Sequence, residues 1–571
     1  MKKPFFILKI LLVIILVGLH FVWLDRFTPG LSNDETEYVL SGKSYALYGR
    51  DVSGYGLPLS LIKSDTDGVI AAIPAIMTAP FYRLGSLNLT LSRIPYVLAH
   101  LITALGIYYL VLYLLNNKTV SWLAGVIFLI TPWSFYLSRN TADVPFALMF
   151  YVWGIVLLLR KNLLPSLLFF TVGFFSYHGA KPILPFLISF AAIYKFGISR
   201  KASGLIGYSL ILLFSFLLIA KLIPGSVTSV RDTDINLFNT EKVTFQVNEN
   251  RRQSIENPFN RIFINKLTEG AKLSVGKYLQ AFSPSTLFLT GDESGTYRFG
   301  LHGLFFISDI FFIVYGLLSL YRIKRKVALL MLGILFTAPL STVINQSGVS
   351  IINRSFLLLP VLVIFIAYGF YYLVNDVPKN IKVAVIIGLV ALTGFNFKNY
   401  LHFYFFELPV TAQENFWVSE RVLSRYFQLA NSDTPVVWVV DRSWNTFMRA
   451  IFYSDENIQK QYLRGKYPFS MENFQFKNIT ITTSCPDQFV PGVAYAVKRG
   501  QGDCFTDRIP HITISEPRDA GDVFRIYGSS FCVGDSTDTY RRFNYVSDYA
   551  IENLPAKDFC SRWIGLAKVK I

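Results

Sequence analysis

Long apolar runs dominate the first 400 residues of the chain. A helix needs roughly 17–25 consecutive, mostly apolar residues to cross the hydrocarbon core of a bilayer. Eleven segments approach this length, several of them short or merging with a neighbour: 5–24, 92–115, 119–137, 143–159, 163–178, 180–196, 204–222, 301–320, 327–343, 353–374 and 382–399. This pattern predicts a polytopic α-helical membrane region of about 11 transmembrane helices. No small-residue cleavage site follows the first run, so we expect a retained spanning helix rather than a signal peptide.

The pattern changes after about residue 400, where the long apolar runs stop. Short segments rich in β-branched residues then follow one another between polar turns, such as Val436-Val437-Trp438-Val439-Val440 and Ile479-Thr480-Ile481-Thr482. Such segments are typical of strands in a water-exposed domain. We therefore predict a membrane region over residues 1–400 and a small soluble domain of α/β or α+β type over residues 401–571.

All four cysteines lie in this second region: Cys485, Cys504, Cys532 and Cys560. An even number of cysteines confined to one segment favours two disulfides formed in an oxidising compartment. Three pairings are possible and the spacing does not choose among them. Four free buried thiols are the alternative.

The distribution of charge indicates how the chain lies in the membrane. The chain has 54 Lys and Arg against 37 Asp and Glu, a net charge of +17. With a cytoplasmic N-terminus, the inner segments hold 14 basic residues against the single acid Asp376: Lys2, Lys3, Lys118, Arg160, Lys161, Lys195, Arg200, Lys201, Arg322, Lys324, Arg325, Lys326, Lys379 and Lys382. This positive-inside bias predicts a multi-pass protein of the cytoplasmic (inner) membrane. Long loops at 25–91 and 223–300 and the C-terminal domain then lie outside the cytoplasm.

The distribution of charge also gives no reason to expect nucleic acid as a partner. Residues 401–571 contain 19 basic and 19 acidic residues, so the soluble domain carries no net charge. The basic excess lies in the membrane region, where it reflects orientation rather than a basic face for a polyanion.

Three carboxylates begin the first outer loop: Asp34, Glu35 and Glu37. A carboxylate at the outer membrane surface is placed to take a proton from the hydroxyl group of an aqueous acceptor. The alternative is the first turn of a helix capped by Asn33 or Asp34, because acidic residues stabilise helix N-termini. Asp143 adds a second carboxylate, since the outer loop that holds it is too short to leave the membrane surface.

Several basic residues fall on the same outer side and are candidates for binding an anionic headgroup: Arg83, Arg93, His178, Lys181 and Arg354. Arg83 and Arg93 flank residues 69–84, an apolar stretch interrupted by Pro74 and Pro80 that we expect to form a helix along the interface. Anchoring of each cation at the membrane surface is the alternative. Asp309 is the one acid within a predicted span and is either functional or hydrogen bonded to a neighbouring helix.

The order of these motifs resembles that of the membrane-embedded C-type glycosyltransferases, in particular the bacterial branch containing protein O-mannosyltransferases and aminoarabinose (lipid A) transferases. The resemblance covers about residues 1–400, and the C-terminal domain resembles no family. It rests on these motifs: Asn33-Asp34-Glu35-x-x-Tyr38, Ala79-Pro80-Phe81-Tyr82-Arg83-Leu84-Gly85, Ser92-Arg93-Ile94-Pro95, Ser138-Arg139-x-x-x-Asp143-x-Pro145, Ser283-Pro284-Ser285-Thr286-Leu287-Phe288-Leu289-Thr290-Gly291-Asp292 with Gly300-Leu301-His302-Gly303, and Asn353-Arg354 before Pro360.

The resemblance implies an inverting transfer of a sugar from a polyprenyl-phosphate carrier to an acceptor glycan, lipid or protein. It makes Asp34 the candidate base, Glu35 a helper that positions the acceptor and Asp143 a second carboxylate of the site. The candidates for binding the phosphate of the carrier are the basic residues Lys181, His178, Arg93, Arg354 and Arg83.

No cofactor is expected. The only D-x-D strings, Asp65-Thr66-Asp67 and Asp232-Thr233-Asp234, lie in loops without other support, so the chemistry is expected to be independent of metal. A divalent ion remains an open alternative.

Two other functions remain open at the level of sequence. A transporter or flippase of a lipid-linked sugar would place ionisable groups near the bilayer midplane and would be built from internal repeats. A non-catalytic assembly or sensor protein would leave Asp34 and Asp143 without a role. The concentration of polar groups on one face favours the transferase.

Overall fold

A computed structural model describes most of the chain and is largely helical in its first 411 residues. It describes residues 2–57, 71–177, 179, 181–196, 241–292, 302–344, 350–430, 434–465, 467, 471–500, 504–505, 508–515, 522–528, 532 and 545–566. Apolar helices occupy ten of the eleven predicted runs: Lys2–Phe21, Leu89–Leu115, Lys118–Ile130 with Pro132–Ser138, Val144–Leu159, Leu163–Ser176, Leu184–Phe196, Asp309–Ile323, Arg325–Thr337, Leu358–Asp376 and Lys382–His402. The remaining run, 204–222, lies outside the described residues.

Four helices of the described part are long and apolar enough to cross a membrane: Leu89–Leu115, Arg325–Val343, Leu358–Asp376 and Lys382–Thr411. Lys118–Ile130 and Pro132–Ser138 form a fifth if the pair, bent by 65°, is counted as one span. Shorter apolar helical stretches of 10–17 residues lie at Phe6–Phe21, Ala72–Tyr82, Val144–Leu159, Leu163–Ser176 and Leu184–Lys195. The structure thus shows several membrane-type helices, whereas the number of eleven stays a prediction.

The helices Asp309–Ile323 and Leu358–Asp376 are in close backbone contact. A Cβ atom on Gly316 would lie 1.9 Å from the carbonyl oxygen of Phe365, and one on Gly369 would lie 2.1 Å from that of Phe312. Glycine is required at both positions because a side chain would force the helices apart, as at small-residue contacts in membrane bundles. Asp309, the first residue of one of these helices, accepts the backbone N–H of Phe306 at 3.0 Å.

Shorter helices complete the first part of the chain. These helices are Asn33–Tyr48, Ala72–Tyr82, Glu241–Arg252, Asn260–Phe263, Lys266–Gln280, Leu340–Ile344 and Ile351–Arg354, with a π-helical turn at Ser285–Leu289. Ala72–Tyr82 forms the helix expected over residues 69–84 and contains Pro80.

The last apolar helix extends beyond the boundary expected near residue 400. It begins at Lys382 and continues through a π-helical turn, Phe403–Glu407, to Thr411. The part of the chain that contains the sheet therefore begins about a dozen residues later than the change in composition.

The C-terminal domain is built on one mixed sheet of seven strands in the order β2-β3-β1-β4-β6-β5-β7. The strands are β1 Val436–Val439, β2 Phe474–Phe476, β3 Ile479–Thr482, β4 Ala494–Lys498, β5 Ile512–Ser515, β6 Asp522–Tyr527 and β7 Gly565–Leu566. Strand β1 pairs in parallel with β3 and β4, and the other pairs are antiparallel. Its helices are Val418–Leu429, Ser443–Phe452, Glu456–Leu463 and Ala556–Trp563, with 3-10 turns at Gln413–Phe416, Val546–Tyr549 and Ile551–Asn553.

Two disulfides lie in this domain. Cys485 bonds to Cys504 and Cys532 bonds to Cys560, each pair with Cα atoms 5.4 Å apart. The structure thus selects one of the three pairings that the sequence left open.

Candidate functional site

The helix Asn33–Tyr48, the first helix of the loop predicted to lie outside the cytoplasm, begins with a capping box. Ser32 is the N-cap: its side chain accepts the backbone N–H of Glu35, and the Glu35 carboxylate accepts the backbone N–H of Ser32 at 2.8 Å. The other Glu35 oxygen accepts the N–H of Thr141 at 2.7 Å. One oxygen of this buried carboxylate therefore caps its own helix, and the other ties the helix to the loop that precedes Asp143.

The three acids at the start of this helix lie in different environments. Asp34 is exposed, Glu35 is fully buried and Glu37 is half-buried. The indole N–H of Trp444, in the C-terminal domain, donates to Glu37 at 2.9 Å. Burial raises the pKa of Glu37 to about 8, although the Trp444 hydrogen bond opposes the shift; the charge of Asp34 adds to it.

Asp143 lies half-buried immediately before the helix Val144–Leu159. The hydroxyl of Tyr38 donates to its carboxylate at 2.8 Å and accepts the backbone N–H of Ala71 at 3.2 Å. Burial raises the pKa of Asp143 to about 7; the Tyr38 hydrogen bond lowers it and the charge of Asp34 raises it. The two carboxylates that the sequence singled out are therefore electrostatic neighbours.

Tyr177 connects these carboxylates to a cation. Its side chain is hydrogen bonded to Arg354, at the end of the short helix Ile351–Arg354. The pKa of Tyr177 is raised mainly by burial and further by the negative charges of Asp143 and Asp34, whereas Arg354 lowers it. Segments around residues 34, 143, 177 and 354, which are distant in sequence, thus meet at one place.

Lys181 follows four residues after Tyr177 and is half-buried, with its ammonium group 5.4 Å from the ring centre of Phe174. Burial lowers its pKa to about 7. His178, the other candidate of this connection, lies outside the described residues.

The structure does not place the other two candidate cations, Arg93 and Arg83, beside Arg354. Arg93 is fully buried and donates to the carbonyl oxygens of Leu24 at 2.6 Å and Gly30 at 2.8 Å, and to the Thr28 hydroxyl at 2.8 Å. It stabilises the segment that leads into the helix Asn33–Tyr48. Arg83 is exposed at the end of the helix Ala72–Tyr82.

Contacts from the C-terminal domain were not foreseen from the sequence. Arg449, on the same helix as Trp444, donates to the side-chain oxygen of Asn33 and to Glu420 at 2.7 Å, and its guanidinium lies 4.3 Å from a ring centre of Trp417. Trp444 and Arg449 thus hold the first turn that carries Asp34. No local motif marks either residue, because the groups they bind in the first turn, Glu37 and Asn33, lie more than 400 residues earlier.

Lys277 is a second basic residue that the sequence did not indicate. It lies on the helix Lys266–Gln280, and its pKa is lowered by burial and by the positive charges of Lys242 and Arg354. The outer loop thus brings further positive charge towards Arg354. Among the described residues, no group of three or more His, Cys, Asp or Glu side chains is arranged to hold a metal ion.

Comparisons with known proteins add structural neighbours. No protein-family model matches the chain, and no curated protein is significantly similar in sequence. An oligosaccharyltransferase from Archaeoglobus fulgidus, solved with a tethered acceptor peptide, is similar at 12% identity and a TM-score of 0.43. The alignment covers 78% of this chain and 63% of the oligosaccharyltransferase, so this chain spans less than two thirds of the length of that protein. ArnT from Cupriavidus metallidurans is similar at 12% identity and a TM-score of 0.40 in the apo state, over 92% of this chain and 98% of that one.

A second ArnT structure, bound to undecaprenyl phosphate, gives 11% identity and a TM-score of 0.39, over 90% of this chain and 97% of that one. Both neighbours are C-type glycosyltransferases, the group that the sequence motifs resemble. At these identities and TM-scores the likeness carries no argument, and the reaction has to be inferred from the residues of this chain.

Proposed function

We propose that this chain is an inverting glycosyltransferase that moves a sugar from a polyprenyl-phosphate carrier to an acceptor on the outer face of the cytoplasmic membrane. One observation carries the proposal: Asp34, Asp143 and Arg354 all lie close enough to the Tyr177 side chain to shift its pKa. Sugar transfer from a phosphate needs these groups, because a base must take the acceptor proton while a cation meets the charge of the leaving phosphate.

Asp34 is the proposed general base. It is the exposed member of the three acids, so an acceptor hydroxyl has access to it. Both oxygens of Glu35 are engaged by backbone N–H groups. Glu37 is mostly protonated at neutral pH because its pKa is about 8. Attack by a hydroxyl activated at Asp34, on the face opposite to the phosphate, inverts the configuration of the sugar.

Glu35 is accordingly proposed to position the base rather than to react. Its bonds to Ser32 and Thr141 join the two segments that carry Asp34 and Asp143. Asp143, hydrogen bonded to Tyr38, is proposed as the second carboxylate of the site, which holds a substrate hydroxyl beside the base.

Arg354 is the proposed main partner of the carrier phosphate, with Lys181 and Lys277 as additional positive charges. Arginine binds phosphate through two parallel N–H groups, and the charge of the leaving group is stabilised most strongly where water is excluded. Arg93 has no part in this proposal because it is buried and bonded to the segment 24–30. Arg83 is assigned to the membrane surface.

The test uses purified protein in vesicles with radiolabelled polyprenyl-phosphate hexoses and pentoses and with acceptors extracted from the envelope. Asp34→Asn should reduce transfer by about 10²–10⁴-fold, the usual contribution of a general base. Asp143→Asn should reduce it as well. Asp487→Asn, an exposed aspartate of the C-terminal domain, is the matched control and should retain wild-type activity. Wild-type rates in both site variants would contradict the assignment.

The same vesicles separate transfer from transport. A labelled lipid-linked sugar that crosses the bilayer without acceptor, and with no product formed when acceptor is added, would favour the flippase. The position of Asp309 at a helix N-terminus, bonded to a backbone N–H, gives transport no additional support.

A further inference from the structure

The outer hairpin, residues 241–280, displays large apolar side chains on a polar loop. It consists of the helices Glu241–Arg252 and Lys266–Gln280 joined by a tip that contains the short helix Asn260–Phe263. Five large side chains of residues 255–267 are more than 60% exposed: Ile255, Phe259, Ile262, Phe263 and Leu267. Apolar patches of this kind mark sites of interaction with a protein or a membrane.

The tip is an ordered structure, so the exposure is a property of its fold. Asn265 caps the second helix through a capping box with Thr268. Arg251 donates to the carbonyl oxygen of Ile264 at 2.9 Å, and Asn257 donates to the Asn260 side chain at 2.8 Å. Polar side chains thus hold the backbone of the tip while its apolar side chains point outwards.

Basic residues accompany the apolar ones. Residues 251–267 contain four exposed cations against one acid, Glu256: Arg251, Arg252, Arg261 and Lys266. Apolar side chains flanked by Arg and Lys are the composition of segments that lie in the interface of an anionic bilayer.

The hairpin is attached to a membrane-type helix. The hydroxyl of Tyr278 donates to the carbonyl oxygen of Phe336 at 2.7 Å, in the second half of the span Arg325–Val343. The basic start of that helix is predicted to be cytoplasmic, so Phe336 lies towards the outer surface. The attachment point therefore puts the base of the hairpin beside the outer leaflet.

We propose that the tip, residues 255–267, inserts its apolar side chains into the outer leaflet and binds anionic phospholipid headgroups through Arg261 and Lys266. The inference is independent of the transferase reaction, since it concerns a surface outside the residues assigned to that site. A second protein would require complementary apolar and acidic surfaces, whereas the attachment to a spanning helix makes the bilayer the adjacent partner.

The experiment places a polarity-sensitive fluorophore on the full-length protein. All four native cysteines are in disulfides, so Ile262→Cys provides a single labelling site and Phe263→Cys a second one. Ile509→Cys is the matched control, because Ile509 in the C-terminal domain is 63% exposed and Ile262 is 64% exposed. The protein is placed in phosphatidylcholine vesicles that contain phosphatidylglycerol and nitroxide-labelled lipid.

Labels at residues 262 and 263 should be quenched by nitroxide lipid, and the label at residue 509 should not. Nitroxide-labelled phosphatidylglycerol should quench about twofold more than labelled phosphatidylcholine, since each basic residue attracts anionic lipid. The combined variant Arg261→Gln and Lys266→Gln should remove that preference. Lack of quenching at both 262 and 263 would overturn the proposal and favour a protein as the partner of this surface. Equal quenching by the two lipids would overturn the proposed binding of anionic headgroups.

Discussion

Replacement of Tyr38 by Phe tests the electrostatics of the proposed site. The Tyr38 hydroxyl donates to the ionised form of Asp143 at 2.8 Å and lowers its pKa, which burial has raised to about 7. Hydrogen bonds to charged groups contribute about 1.5–3 kcal/mol, and one pKa unit corresponds to about 1.4 kcal/mol. Because Asp143 is half-buried and solvent screens part of this interaction, we expect the lower end, a rise of about one unit in its pKa.

The sign of the effect follows from which form is stabilised. Loss of the hydrogen bond disfavours the ionised carboxylate, so transfer that requires ionised Asp143 begins at higher pH. The acidic limb of the pH profile of kcat/KM should move from about pH 7 to about pH 8. At pH 6 the variant should be about tenfold slower than wild type, and above pH 9 the two rates should converge.

Tyr45→Phe is the control, because Tyr45 lies on the same helix and its hydroxyl donates to the carbonyl oxygen of Tyr55 instead. Thermal unfolding is measured in parallel, since Tyr38→Phe also leaves the backbone N–H of Ala71 without its acceptor. An unchanged acidic limb in a folded Tyr38→Phe protein would refute the role given to Asp143.

Three further predictions concern buried charges near the site. Burial raises the pKa of Glu37 from 4.5 to about 8, so its contribution to the stability of the fold is greatest below pH 4.5 and is lost as the pH rises to about 8. In Glu37→Gln the unfolding temperature should therefore fall less between pH 5 and pH 8 than it does in wild type. Lys181, with a pKa near 7, should bind a phosphate more weakly as the pH rises, so the KM for the donor should increase above pH 7 in wild type and stay constant in Lys181→Arg. Glu35→Gln leaves the N–H of Ser32 or Thr141 facing an amide NH₂ group, which should cost about 1–3 kcal/mol of stability and lower kcat with little change in KM.

The membrane region could be predicted from the sequence because its signal is local. A helix such as Leu358–Asp376 must be apolar along its whole length, and this pattern is visible without tertiary contacts. Asp34 and Asp143 could be singled out for a related reason, since polar residues between apolar runs are confined to the membrane surface. That the charge of Asp34 acts on Asp143 could be learned only from the structure.

Other features needed the structure for different reasons. Ser32 and Glu35 have the spacing of a capping box, and this local signal was missed in favour of Asn33 or Asp34 as the cap. Trp444 and Arg449 carry no local signal, because a hydrogen bond to a residue some 400 positions earlier depends on the packing of two domains. The same holds for Lys277, which is near Arg354 only after the outer loop has folded.

The hydrogen bonds from the C-terminal domain also determine when the site can be completed during biosynthesis. Asn33 and Glu37 emerge early, but their partners Arg449 and Trp444 are made 416 and 407 residues later. At the usual rate of about 5–20 residues per second, the ribosome needs about 20–80 s to span that interval. The nascent chain therefore carries its proposed base through about three quarters of translation before these two hydrogen bonds to its helix can form. Enzyme activity should appear only after the last quarter of the polypeptide has been made.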